Sequence, residues 1–205
     1  DFAGDFSEGL VRVKKDGKQG FIDKNGKVVI EPQYDHFGGD FAGDFSEGLV
    51  RVKKDGKWSY LDKNGKVVIE PQFDWVGAFS EGFARVEKDG KLGYIDKNGK
   101  VVIELQFDDG GAFSEGLALV GKDDKWGYID KNGKVVIEPQ FDTAVDFREG
   151  LTLVAKDGKL GFIDKSGKVV IEPQFDNTTG FREGFQVKKD GKWGFIDKSG
   201  KVVIE

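Results

Sequence analysis

Residues 49–69 set apolar and polar positions in three short runs, separated by two glycine-bearing turns. Leu49 to Lys53, Lys57 to Asp62 and Lys66 to Ile69 alternate as strands do, and Asp55-Gly56 and Asn64-Gly65 separate them. Such dipeptides predict two-residue type I′ turns, because both central positions need positive φ. The register then places Arg51, Tyr60 and Ile69 on one face, with Trp58 beside Lys53. Val50, Val52, Leu61 and Val68 take the other face, with Ser59 in a slot that is Gly20, Gly93, Gly127, Gly161 and Gly194 elsewhere. Both faces are largely apolar, so the pattern predicts a three-stranded antiparallel meander packed between neighbours. The small residue in the slot is expected to admit a neighbouring sheet. Pro71, like Pro32, Pro139 and Pro173, is expected to end the pairing for want of an amide hydrogen; Leu105 is the exception.

The pattern recurs along the whole chain. The turns at Asn25, Asn64, Asn98, Asn132, Ser166 and Ser199 lie 39, 34, 34, 34 and 33 residues apart, and residues 1–18 are identical to 40–57. A period in this range marks a solenoid, a propeller or another repeat array. The chain is therefore expected to be one all-β repeat domain of six units, approximately 1–39, 40–73, 74–107, 108–141, 142–175 and 176–205. Because the end units are as apolar as the middle ones, a propeller-like closed ring is the favoured assembly. An open β-superhelix or solenoid is the alternative, since about 34 residues is short for a propeller repeat.

The segment from Lys125 to Asp142, "KWGYIDKNGKVVIEPQFD", with "FSEGL" upstream, resembles the WG-repeat (KWG-repeat) family of bacterial proteins. The similarity spans essentially the whole chain. Gln19, Leu92 and Leu160 replace the tryptophan, and Ser59 replaces the glycine. The resemblance implies a β-repeat scaffold without a shared enzymatic activity.

Composition narrows the chemistry. Acidic residues number 37 against 32 basic, both signs are interspersed in every repeat, and no basic stripe suited to nucleic acid emerges. No apolar run reaches membrane-span length, so membrane insertion is not expected. The chain has no cysteine, which leaves its compartment open, and no methionine; its start at Asp1 suggests a processed product or a piece of a longer chain.

"DKNGKVVIE" offers oxygen ligands at Asp23, Asn25 and Glu31, but its glycine is fourth and its glutamate ninth, unlike a calcium loop. Neither a metal nor a cofactor is expected. Glu8, Glu47, Glu81, Glu115, Glu149 and Glu183 recur in "SEG" or "REG", and Asp23, Asp62, Asp96, Asp130, Asp164 and Asp197 recur before the second turn. Such rows of carboxylates suit cations or a basic partner. The structural alternative has each glutamate satisfy backbone amides and each aspartate pair with a nearby lysine, and sixfold repetition favours it. His36 is the only histidine and reads as a solvated loop residue, so no catalytic set emerges and the chain is not expected to be an enzyme.

Variation concentrates between "PQFD" and the next "FSEG" or their variants. Those segments begin at His36, Trp75, Asp109, Thr143 and Asn177, with Thr178 following. Variable loops on a fixed frame are where binding resides, so these six residues are the candidate ligand-binding set. The leading expectation is a non-enzymatic scaffold for a protein or glycan. The alternatives are a structural protein that self-associates into a filament or layer, and a consensus-built repeat protein without a natural ligand.

Overall fold

A computed structural model describes residues 2–38, 45–179 and 185–204 of the chain. Six antiparallel sheets follow one another, each of four sequential strands, spanning 2–34, 36–73, 75–107, 109–141, 143–175 and 177–204. In the second sheet the strands are His36–Phe37, Leu49–Lys54, Lys57–Asp62 and Val67–Phe73. The three expected strands are present in every sheet, and the expected three-stranded unit is corrected to four. The additional strand is His36–Phe37, Trp75–Val76, Asp109–Ser114, Thr143–Ala144 or Asn177–Thr179 in successive sheets. In three of these it is only two residues long, too short to carry a period.

Three turns shape the first repeat. Asp16-Gly17 has φ of 51° and 81°, the expected type I′ geometry. In the "DKNG" turn only the glycine is left-handed, Gly26 at 79°. The Gly26 amide donates to the Asp23 carbonyl at 3.0 Å, and the Asp23 amide to the Lys27 carbonyl at 2.9 Å. This is a three-residue hairpin ending in a glycine bulge rather than type I′. The third turn is Glu8-Gly9, at 47° and 89°, with Ser7 facing Leu10 across it. Its equivalents Glu47, Glu81, Glu115 and Glu149 share the left-handed conformation. A glutamate gains little from that region on its own, so its surroundings hold it there.

Proline does not end the pairing. Tyr60 faces Ile69 and Trp58 faces Phe73, so the strand runs through Pro71 in a bulge where no ladder hydrogen is required. That bulge also explains the glycine slot. A Cβ on Gly127 would lie 2.4 Å from the Ile137 carbonyl oxygen and 2.6 Å from the Pro139 nitrogen. The close approach is thus made by the outermost strand of the same sheet, not by a neighbouring sheet as the sequence suggested. Ser59 occupies the slot fully buried, with the same pairing register.

The chain forms two compact units, residues 1–106 and 107–205. Within the first, Phe21, Ile30 and Tyr34 of the first sheet pack with Phe37, Val50, Val52 and Leu61 of the second. The opposite face of the second sheet, with Tyr60, Ile69 and Phe73, packs against Val76, Phe79, Val86 and Ile95 of the third. The second unit repeats the scheme: Tyr128, Ile137 and Phe141 meet Phe147, Val154 and Ile163, and Phe162, Ile171 and Phe175 meet Phe185, Val187 and Ile196. The two faces read from alternation are therefore correct, with one exception. Val68 packs beside Ile69 rather than with Leu61, because the register shifts between Tyr60 and Leu61.

Candidate functional site

The candidate residues lie on strands rather than in loops. His36 pairs with Lys53, Trp75 with Glu87, Asp109 with Gly121, Thr143 with Ala155 and Asn177 with Lys188. Each partner in turn faces the third-strand position that is tryptophan or leucine: Trp58, Leu92, Trp126, Leu160 and Trp193. Directly opposed residues share a face. Every variable first-strand residue therefore begins a row across the sheet that reaches the "KWG" position. The sequence could not reveal this row while the first strand was read as a loop.

Contacts within the rows differ. The His36 ring meets the Trp58 ring edge-on at 5.9 Å, and the Lys53 ammonium lies 5.8 Å from the Trp58 centroid. Trp75 is half-buried, with the Arg85 guanidinium 4.5 Å from its ring. The Asp109 carboxylate accepts the Gly110 amide at 2.7 Å, and the Asn177 side-chain oxygen accepts that of Thr178 at 2.8 Å. The Thr178 hydroxyl donates to the Gln186 carbonyl at 3.0 Å. His36, Asp109, Thr143 and Asn177 are exposed. Five sheets thus present these residues singly at one structural position; only Asn177 and Thr178 contact each other among the described residues.

The recurrent carboxylates stitch sheet to sheet. The Glu47 carboxylate accepts the Gly82 amide at 3.2 Å in the equivalent turn of the next sheet and pairs with Lys97 at 2.9 Å. Glu115 accepts the amides of Glu149 and of Gly150, the latter at 2.9 Å, and pairs with Lys165 at 3.0 Å. Glu8 pairs with Lys63 at 2.6 Å, and Glu149 pairs with Lys198. Lys165 and the backbone amides hold the Glu115 carboxyl below its ordinary range. For Glu47, burial pushes the carboxyl up, but Lys97 and the Gly82 amide outweigh it and the net shift is downward. Glu47 and Glu115 thus satisfy backbone amides of the next sheet, and Glu8 and Glu149 reach the next sheet through a lysine; Glu183 lies outside the described residues.

The aspartates before the second turn act differently from expectation. Asp23 accepts the Asn25 and Lys27 amides at 2.8 and 2.9 Å, closing its own turn rather than pairing with a lysine. A second set, in "PQFD" and its variant "PQYD", ties the other end of each junction. Asp35 pairs with Lys18 and accepts the Asp55 amide of the next sheet at 3.3 Å. Asp74 pairs with Lys57 and accepts the Asp89 amide at 2.9 Å; Asp142 pairs with Lys125 and Asp176 with Lys159, each at 2.5 Å. The lysine hydrogen bonds depress all four carboxyls. Every junction within a unit therefore carries a latch at both ends of its sheets.

A family model described as "WG containing repeat" matches residues 1–18, 20–58, 58–91, 93–126, 126–159, 161–193 and 193–205. The chain belongs to the WG-repeat family. No curated protein matches it. Among solved structures it is similar to PorZ, a bacterial surface component of the type-IX secretion system of Porphyromonas gingivalis, at 12% identity and a TM-score of 0.43. That match covers 98% of this chain and 32% of PorZ. A eukaryotic initiation factor matches with a TM-score of 0.57 at 10% identity, covering 95% of this chain and 62% of the other. Hsv2 of Kluyveromyces lactis matches with a TM-score of 0.52 at 10% identity, covering 100% and 78%. At these identities the likeness is one of fold alone.

Proposed function

We propose that the chain is a non-enzymatic scaffold that binds a protein or glycan through the first-strand rows. The observation that carries this reading is variation at one structural position, His36, Trp75, Asp109, Thr143 and Asn177, on an otherwise constant frame. Four of the five are exposed, and His36 adjoins an aromatic ring and an ammonium group, a suitable surface for stacking and for charge. Four strands per sheet is also the strand number of propeller blades, which supports the closed ring as the proposed assembly.

The test is a glycan array and a peptide-display selection run side by side on the purified chain and on a variant carrying H36A, W75A, D109A, T143A and N177A. Binding by the parent that the folded variant loses supports the rows as the site. Binding that survives all five changes places the site elsewhere and overturns the reading.

A further inference from the structure

Four of the second turns carry an asparagine-glycine pair, at Asn25, Asn64, Asn98 and Asn132, and all four asparagines are exposed. In a mobile peptide such a pair is chemically unstable, which is one reason asparagine counts among the thermolabile residues. The glycine nitrogen loses its proton and attacks the side-chain carbonyl carbon of the asparagine. A carbon-nitrogen bond forms, ammonia leaves, and a five-membered imide results. Water then opens the imide at one of its two carbonyls, giving an aspartyl or an isoaspartyl residue. The reaction therefore needs a glycine N–H free to give up its proton and a nitrogen free to approach the side chain.

The turns deny both. The amides of Gly26, Gly65 and Gly99 donate to the carbonyls of Asp23, Asp62 and Asp96 at 3.0 Å, and that of Gly133 to Asp130 at 2.9 Å. One carboxylate oxygen of the same aspartate anchors the residues on either side of the glycine. At Asp96 it accepts the Asn98 and Lys100 amides, both at 2.9 Å. Asp23, Asp62 and Asp130 make the same pair of bonds. With its proton engaged and both neighbours held, the glycine nitrogen can attack only after the turn opens locally. At Ser166 and Ser199 the hydroxyl donates to Asp164 and Asp197 at 2.6 Å, and there is no carboxamide to react.

Conversion would reach beyond the turn. A Cβ on Gly65 would lie 3.0 Å from Ile30, and one on Gly99 3.1 Å from Ile69, so these turns rest on core isoleucines of the preceding sheet. An isoaspartyl linkage adds a methylene to the main chain next to that contact.

We propose that Asn25, Asn64, Asn98 and Asn132 are latent deamidation sites, each guarded by the aspartate two residues before it. The aspartate thus protects the chain chemically as well as closing its hairpin, a role separate from any ligand bound at the first-strand rows.

The experiment incubates the full chain at mildly alkaline pH and follows each asparagine by site-resolved mass spectrometry, beside a free Ile-Asp-Lys-Asn-Gly-Lys-Val peptide. All four sites are expected to convert about tenfold or more slowly than the peptide, because each must wait for local opening. Asp96→Ala is expected to speed conversion at Asn98 by about fivefold, as the loss of partly solvated charged hydrogen bonds implies. Asn25, Asn64 and Asn132, which keep their own aspartates, should stay within about twofold of the parent. Asp96→Asn, which keeps an oxygen for the two amides, should speed Asn98 less. If Asp96→Ala does not fold, Asp130→Ala read at Asn132 makes the same comparison. Three results would overturn the proposal: conversion in the chain as fast as in the peptide, an unchanged rate at Asn98 in Asp96→Ala, or equal acceleration of all four sites in a folded variant, which would place control in global opening.

Discussion

The Glu115 carboxylate accepts the amide of Gly150 at 2.9 Å, joining the turn of one sheet to the equivalent turn of the next. Since Glu149 and Gly150 both have positive φ, this bond also holds a costly backbone conformation in place. Glu115→Ala is expected to lower stability by about 1 kcal/mol, reduced from the usual value for a charged hydrogen bond because the group is partly solvated. Glu138→Ala, on an exposed part of an outermost strand, is the control and should change stability by less than about 0.5 kcal/mol. Urea unfolding of the two variants makes the comparison.

Gly127→Val is expected to cost about 3 kcal/mol or more. Its side chain would enter the space of the Ile137 oxygen and the Pro139 nitrogen, which are backbone atoms of a paired strand and cannot swing aside. Trp75→Ala, at a half-buried edge position, should cost less. Thermal melts that reversed this order would show that the outermost strand yields more readily than its pairing implies.

Tyr60→Phe is expected to destabilise more than Tyr128→Phe. The Tyr60 hydroxyl donates to the Gly77 carbonyl at 2.6 Å, and the Tyr128 hydroxyl to that of Val145 at 2.6 Å. The Thr152 hydroxyl also donates to Val145 at 2.6 Å and keeps that carbonyl satisfied when the phenol is gone. The position equivalent to Thr152 in the third sheet is Ala84, which has no hydroxyl to offer. A difference of about 1 kcal/mol in denaturant unfolding is the expected reading.

Acid should loosen the latches before neutral pH affects them. Asp35, Asp74, Asp142, Asp176, Glu47 and Glu115 all have depressed carboxyl pKa values in the folded chain. The unfolded chain therefore binds protons first as pH falls, and stability declines from the ordinary carboxylate range near pH 4 downward through the folded values. Above that range their contribution is fully present. Replacing the four aspartates by asparagine should flatten the decline, measured as urea midpoints from pH 7 to pH 3.

Much of this fold is legible in the chain because Asp-Gly and Asn-Gly turns pin the register of long, alternating runs. Arg51, Tyr60 and Ile69 share a face as read, and the Lys53–Trp58 pair was visible from the Asp55-Gly56 turn alone. His36–Phe37 was not visible, since two residues carry no alternation and their partner lies beyond a long connection. The same gap hid the alignment of His36 with Trp58, and with it the row that organises the candidate site. The "DKNG" turn misled for another reason: the Asp23 carboxylate occupies the Asn25 amide, so the asparagine need not turn left-handed and serine replaces it at Ser166 and Ser199.

The latches set how such a chain can grow. Glu115 reaches Lys165 over 50 residues, as Glu47 reaches Lys97, while Glu8 reaches Lys63 over 55 and so absorbs the five extra residues after His36. Within each unit, every such latch therefore joins a sheet to the one that follows it in the chain. A gene segment of one period can be copied or deleted in frame with every clamp still finding its mate, so ancestry by tandem duplication requires no redesign of the joints.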